Sequence, residues 1–211
     1  MSQAYLVTVE GLAELASLDD IGERVSQDGQ RAINATILRA RAAAGRAIGT
    51  QVKFPPGYLT GANGRLVVSQ YATPNKLEAR LSARSRPTSL ASFVRGAPPI
   101  KGGSSAAGLT VEVHPGSARF LKNAFLIRLR AGAADSGLSN LGLAIRLKPG
   151  ERPRVSRTGA KLVGRGLWLL YGPSVAQALV NASGSGVAQD ISPDLADYLE
   201  KEFIRLQGVK R

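Results

Sequence analysis

The sequence predicts an α+β protein in which a long N-terminal amphipathic helix packs on an antiparallel sheet, with long basic loops and a short C-terminal helix. Three observations predict it: a long run of helical periodicity near the start, several short segments of period-two alternation in the middle, and a capped amphipathic pattern at the end. Alternation on one side of a strand leaves an apolar sheet face that needs a cover, and the helix supplies one.

Residues 4–9 (AYLVTV) read as a short strand or arm, and residues 1–17 as an N-terminal arm ahead of the main domain. From about Leu18 to Val52, Ile33, Ile37, Ala40, Ala44, Ala47 and Ile48 recur at three- and four-residue spacing, which places them on one helix face. Arg24, Arg31, Arg39 and Arg46 fall on the opposite face at seven- and eight-residue gaps and form a stripe. That stripe is either the solvated face of the helix or a surface for a polyanion. Phe54–Gly57 (FPPG) ends the helix, because proline lacks the donor and clashes with the preceding turn.

Strands follow. From Lys76 to Arg84 the residues Leu77, Ala79, Leu81 and Ala83 alternate with polar ones, as in a half-buried strand with a basic outer face. Leu109 to His114 alternates similarly, as does Gly142 to Lys148 with Leu143, Ile145 and Leu147 inward; Arg65–Tyr71 and Leu167–Tyr171 are further strand candidates. Residues 95–108 and 149–166 are rich in Gly, Pro, Ser and basic residues and are expected to be flexible loops, protease-sensitive in the monomer, because they bury too little apolar area to offset ordering entropy. The α+β domain thus spans 18–189, and 190–211 is a C-terminal helix with Ser192 as N-cap, Pro193 at its first position and Leu195, Leu199, Phe203 and Leu206 on one face.

Charge is distributed unevenly over the 211 residues. Residues 1–30 hold six acids and one base, residues 31–189 hold 23 bases and four acids, and residues 190–211 hold four bases and five acids. A basic middle with mildly acidic ends suits a polyanion and a neighbouring copy of the same chain as partners. Cysteine is absent, which removes disulfides and thiolate chemistry. No apolar run is long enough to span a membrane and the N-terminus carries acids where a signal peptide carries bases, so no membrane partner is expected.

Catalytic constellations are missing. His114 is the single histidine and sits at a strand end; Asp19–Asp20 lie near a helix start, where carboxylates favour the dipole. Gly164–Gly166 (GRG) lacks the helix that a phosphate loop needs, and Ser183–Gly186 (SGSG) reads as a linker. The chain is therefore expected not to be an enzyme and to need no cofactor or metal. It also lacks zinc-finger spacing and the aromatic pairs of RNA-binding modules, so nucleic-acid contact would run through phosphates without sequence readout.

Leu170–Leu179 (LYGPSVAQAL) is the most distinctive segment: a strand end turns at Gly172 and Pro173 into a helix that Ser174 can cap, with Gly172 expected to take an unusual backbone angle. This decapeptide resembles the C-terminal signature of the phage and prophage minor tail protein Z family. Other blocks agree in order: Ala32–Ile33–Asn34 and the helix to Ile48, then Tyr58–Leu59, Leu77–Ala79–Leu81, Arg86–Pro87 with Leu90 and Phe93, and Val111, Val113, Gly116, Leu121, Ala124 and Phe125. The likeness covers about residues 31–180. It departs from the family in the acidic first 20 residues and the long basic segment before Leu167.

The resemblance implies a virion structural protein in the neck of a tailed phage, assembled in the host bacterial cytoplasm, that completes the head-proximal end of the tail and joins it to the head. Its implied partners are itself as a closed ring, with a hexamer favoured, a tail terminator or tube protein, and a head connector or stopper. A stand-alone non-specific nucleic-acid-binding protein is the alternative; a virion-carried hydrolase ranks last. Leu170, Tyr171, Gly172, Pro173, Ser174, Val175, Gln177 and Leu179 form the family motif, either a folding element or a subunit contact. Arg152, Arg154, Arg157, Lys161 and Arg165 in the basic loop, or Arg31, Arg39 and Arg46 on the helix, are the expected DNA-facing residues.

Overall fold

The computed structural model describes residues 7–8, 23–96, 108–129, 141–148, 150–153, 159–184 and 187–207. The chain runs β1 (Val7–Thr8), α1 (Glu23–Gln51), β2 (Leu66–Gln70), β3 (Arg80–Ala83), a 3-10 turn at Leu90–Phe93, β4 (Leu109–His114), β5 (Ser117–Leu121), β6 (Ala124–Arg128), β7 (Leu141–Arg146), β8 (Ala160–Gly164), β9 (Leu167–Leu170), α2 (Val175–Gly184) and α3 (Val187–Leu206). The strands form three antiparallel sheets, ordered β1-β3-β2, β4-β5 and β6-β7-β9-β8. The expected α+β class and N-terminal helix are present.

Helix α1 forms where the periodicity places it, and its apolar face is the centre of the core. Ile33, Ile37, Ala40, Ala47 and Ile48 are buried, and Ala44 packs beside them. Two polar side chains one heptad apart fasten α1 to the first sheet. Asn34 donates from Nδ2 to the Ala72 carbonyl at 3.1 Å and accepts the Ala72 N–H at 2.8 Å. Arg41 donates to the carbonyls of Leu66 (2.8 Å) and Thr60 (2.9 Å). These bonds tie the helix to backbone groups at the sheet margin, including both the N–H and the carbonyl of the buried Ala72.

Strand β3 is shorter than the segment 76–84 read as strand, but the burial alternation holds: Ala79, Leu81 and Ala83 point inward and Leu77 packs against the core. In β7 the one-sided pattern fails. Gly142, Leu143 and Ala144 are buried in succession, because β7 is a central strand between β6 and β9 and is covered on both faces; Ile145 and Leu147 are half-buried.

The expected loop 149–166 needs a larger correction, since residues 160–164 are strand β8, which pairs with β9 and is exposed along most of its length. An edge strand held by its backbone ladder needs no apolar stripe, so hydropathy carries no sign of it. Arg165 and Gly166 make the turn to β9; Gly166 has φ +68°, and a Cβ there would lie 2.2 Å from the Leu147 carbonyl oxygen. Most of the expected loop 95–108 lies outside the described residues, as do residues 1–6, 9–22, 130–140, 154–158 and 208–211, with Asp19 and Asp20 among them.

At the C-terminus, α3 starts at Val187, ahead of the expected cap at Ser192, and Pro193 lies within it. Its apolar face is as read: Leu199 is buried, and Leu195, Phe203 and Leu206 pack on the core. α3 lies along α1, with Phe203 beside Gly29, Arg39 over the Tyr198 ring at 3.6 Å, and Gln207 donating to the buried Asp28 at 2.9 Å.

Candidate anion-binding cleft

After α1, Pro55–Pro56–Gly57 turns the chain so that Tyr58 stacks on Phe54, with ring centroids 5.3 Å apart and planes 6° from parallel; Phe54 also meets Phe93. The Tyr58 hydroxyl is 3.1 Å from Thr88 Oγ1, and the Thr88 carbonyl accepts the Gly172 N–H at 2.7 Å. Ser89 bridges to Tyr171, the residue after β9. Three segments distant in sequence, at 54–58, 86–93 and 171–172, thereby lock into one wall.

The reason for glycine at 172 differs from the expected one. Its φ is not in the left-handed region; instead a Cβ would lie 3.0 Å from Phe93 and 3.2 Å from Leu90, so the position is kept empty for packing. Next to it the cap forms as read. Ser174 Oγ accepts the Gln177 N–H at 3.0 Å, and Gln177 Oε1 accepts the Ser174 N–H at 3.3 Å, a reciprocal box that starts α2. Within this chain Leu170, Gly172, Ser174, Val175 and Leu179 are buried, Tyr171 and Pro173 are half-buried, and Gln177 is exposed.

Against this wall lies an open cleft of about 390 Å³. Arg65, at the start of β2, and Arg84, after β3, are brought together because the Arg84 N–H donates to the Arg65 carbonyl at 2.9 Å, extending the hairpin ladder. Arg65 also donates to the Asn63 carbonyl and stands 5.7 Å from the Tyr58 ring centre. Arg86 and Lys161, both exposed, complete the cationic lining, and Leu129, Leu141, Leu169 and Val163 add apolar surface. Among the described lining residues there is no carboxylate. Burial pushes the Arg84 pKa down, and the like charges of Arg65 and Arg86 push the same way against a partial offset from Tyr58.

Of the basic residues singled out from sequence as DNA-facing, Lys161 is the only one among the described residues that reaches this cleft. Arg152 and Arg165 are exposed elsewhere, and Arg154 and Arg157 lie outside the described residues. On α1, Arg31 pairs with Asp28 at 3.4 Å, Arg39 is spent on Tyr198, and Arg46 is exposed. Sequence reasoning misses Arg65 and Arg84 as site residues, although bases at opposite ends of two paired strands must meet at one end of a hairpin. It finds Arg86 only as part of a motif.

A second polar cluster surrounds Glu112 on β4, which is 3% exposed. Its Oε2 accepts from Lys53 Nζ and Arg95 Nε, each at 2.7 Å, and its Oε1 accepts the Gly116 N–H at 2.9 Å. The Lys53 bond, then the Gly116 N–H and Arg95, hold its pKa at about 2. A carboxylate so fully partnered fastens the β4–β5 hairpin to the end of α1 and has no proton to give near neutrality. His114, at the strand end as read, is exposed, with Nδ1 2.8 Å from the Gln51 carbonyl. Among the described residues no group of three His, Cys, Asp or Glu side chains is placed to hold a metal, and no helix is long and apolar enough to cross a membrane.

Fold and site together define an α+β protein with a cationic cleft. The chain matches no protein-family model, no curated protein and no solved structure.

Proposed function

We propose that this chain is a structural subunit of a tailed-phage virion, which closes into a ring, with six copies favoured, around the DNA channel at the head-proximal end of the tail. One face of the ring meets a tail terminator or tube protein and the other a head connector or stopper. The observation that carries the reading is convergence. Tyr58, Arg86–Pro87 with Leu90 and Phe93, and Tyr171–Gly172 are three separated blocks of the resemblance to minor tail protein Z proteins, and they meet at one cleft. That cleft offers cations, hydroxyls and apolar carbon, a set suited to holding an anion.

Open sheet edges support self-association. Among the described residues β5 and β8 each have one unpaired edge, and they carry exposed apolar side chains: Phe120 is 60% exposed, Leu162 53% and Val163 46%. Such edges are templates for pairing with another chain, and head-to-tail pairing closes into rings. Native mass spectrometry of the purified chain at high salt is expected to find one closed oligomer, and phage lacking the gene to leave heads and tails unjoined. A monomer under those conditions supports instead a stand-alone nucleic-acid-binding protein, the reading that the cleft alone favours; joined particles without the gene overturn the tail role.

A further inference from the structure

We propose that the cleft is a binding site for a single strand of nucleic acid, in which Arg65, Arg84, Arg86 and Lys161 take successive backbone phosphates while a base lies on the apolar surface beside Tyr171. The inference rests on the reading above only in taking DNA as the polymer, and it moves the DNA contact from the basic loop and the helix stripe to a site assembled by the fold.

Two features argue for a strand. The first is charge. Four cations arrive from three separate segments at a cleft whose described lining residues include no carboxylate, and one of them, Arg84, is partly desolvated beside two like charges. Such a concentration of positive charge attracts an anion. The second is the surface between the cations. Leu129, Leu141, Leu169 and Val163 line the same space. A duplex stacks its bases inside and presents phosphates, sugars and base edges but no base faces, which would leave this surface without a stacking partner. A strand has bases free to turn onto it, and a volume near 390 Å³ lies within the roughly 300–1,000 Å³ of small-ligand sites. Tyr58 is already engaged by Phe54 and Thr88 and serves as wall; Tyr171 is the ring left for the base.

The test uses the full chain and fluorescence anisotropy with a labelled oligothymidylate and a duplex of equal length. The strand is expected to bind more tightly than the duplex. The double substitution Arg86→Glu/Lys161→Glu, at two exposed positions, is expected to weaken strand binding at least about tenfold. It should also flatten the slope of log Kd against log salt by about 1.4, at roughly 0.7 for each phosphate no longer neutralised. Arg31→Glu/Arg46→Glu changes the net charge equally and is expected to cost less than about threefold, while Tyr171→Leu should lower affinity without changing the salt slope. Circular dichroism melts confirm that each variant folds. Equal losses in the two double variants, equal binding of the duplex, or displacement of the strand by an equimolar oligoglutamate peptide would each overturn the proposal, the last pointing to an acidic protein segment as occupant. The ring reading is decided separately, by mass: an intact ring that ignores the strand sinks this inference and spares the ring.

Discussion

Glu112 shows how one side chain sets a pH window. Its folded pKa of about 2 lies below the ordinary 4.5, so its contribution to stability is complete above about 4.5 and is lost as pH falls through 2. Thermal melts of the wild type and Glu112→Gln are expected to differ most at pH 5–7, with the variant melting lower, and to converge near pH 2; parallel curves throughout would mean that the carboxylate's charge contributes nothing. Two glycines test space against backbone angle. Gly172→Ala places a Cβ against Phe93 and Leu90 side chains that have little room to move, an overpacking cost of roughly 1–3 kcal/mol. Gly166→Ala meets a backbone carbonyl at a positive φ, and denaturant titration should find it the more damaging of the two. Neither reason is legible in the sequence: Gly172 reads as a turn residue, and only the approach of Phe93 reveals it as a packing residue. Glu112 likewise sits in an alternating strand with nothing to announce that Lys53 and Arg95 converge on it.

Elements that bury a periodic face are legible in the sequence; those held by hydrogen bonds alone are not. α1 and the apolar face of α3 can be read off the spacing of Ile, Leu and Ala because burial is what selects those residues. β8 reads as loop because residues 161–164 are exposed and its stability comes from pairing with β9. The division into three sheets is hidden too, since alternation gives the faces of a strand but not its neighbours. The start of α2 is half legible: Ser174 reads as a cap, while the reciprocal bond from Gln177 emerges only in the structure. Ser174→Ala is expected to cost about 1 kcal/mol, within the roughly 0.5–2 kcal/mol typical of N-caps, as read from urea midpoints at unchanged slope. Asn34→Ala should cost more, because it strands both backbone groups of Ala72 at once.

Among the described residues, the positive charge includes cations already engaged and cations facing solvent. Arg39, Arg41 and Lys53 each hold another part of the chain, and Arg31 pairs with Asp28 on its own helix, so the helical stripe that looks in sequence like a polyanion surface is partly structural. Arg86, Lys161 and Arg165 remain exposed. In a closed ring each of these recurs once per copy, and a polyanion passing through gains avidity without base recognition. The packing of α3 on α1 sets a further condition, one of timing. α1 is translated well before α3, so the surface around Gly29 and Leu77 that Phe203 covers stays bare until α3 has been made. At roughly 5–20 residues per second that interval is on the order of 10–30 s, long enough for nascent chains on one message to meet through it. Slowing elongation should therefore lower the soluble yield of this protein, and Phe203→Ser should lower it at any speed.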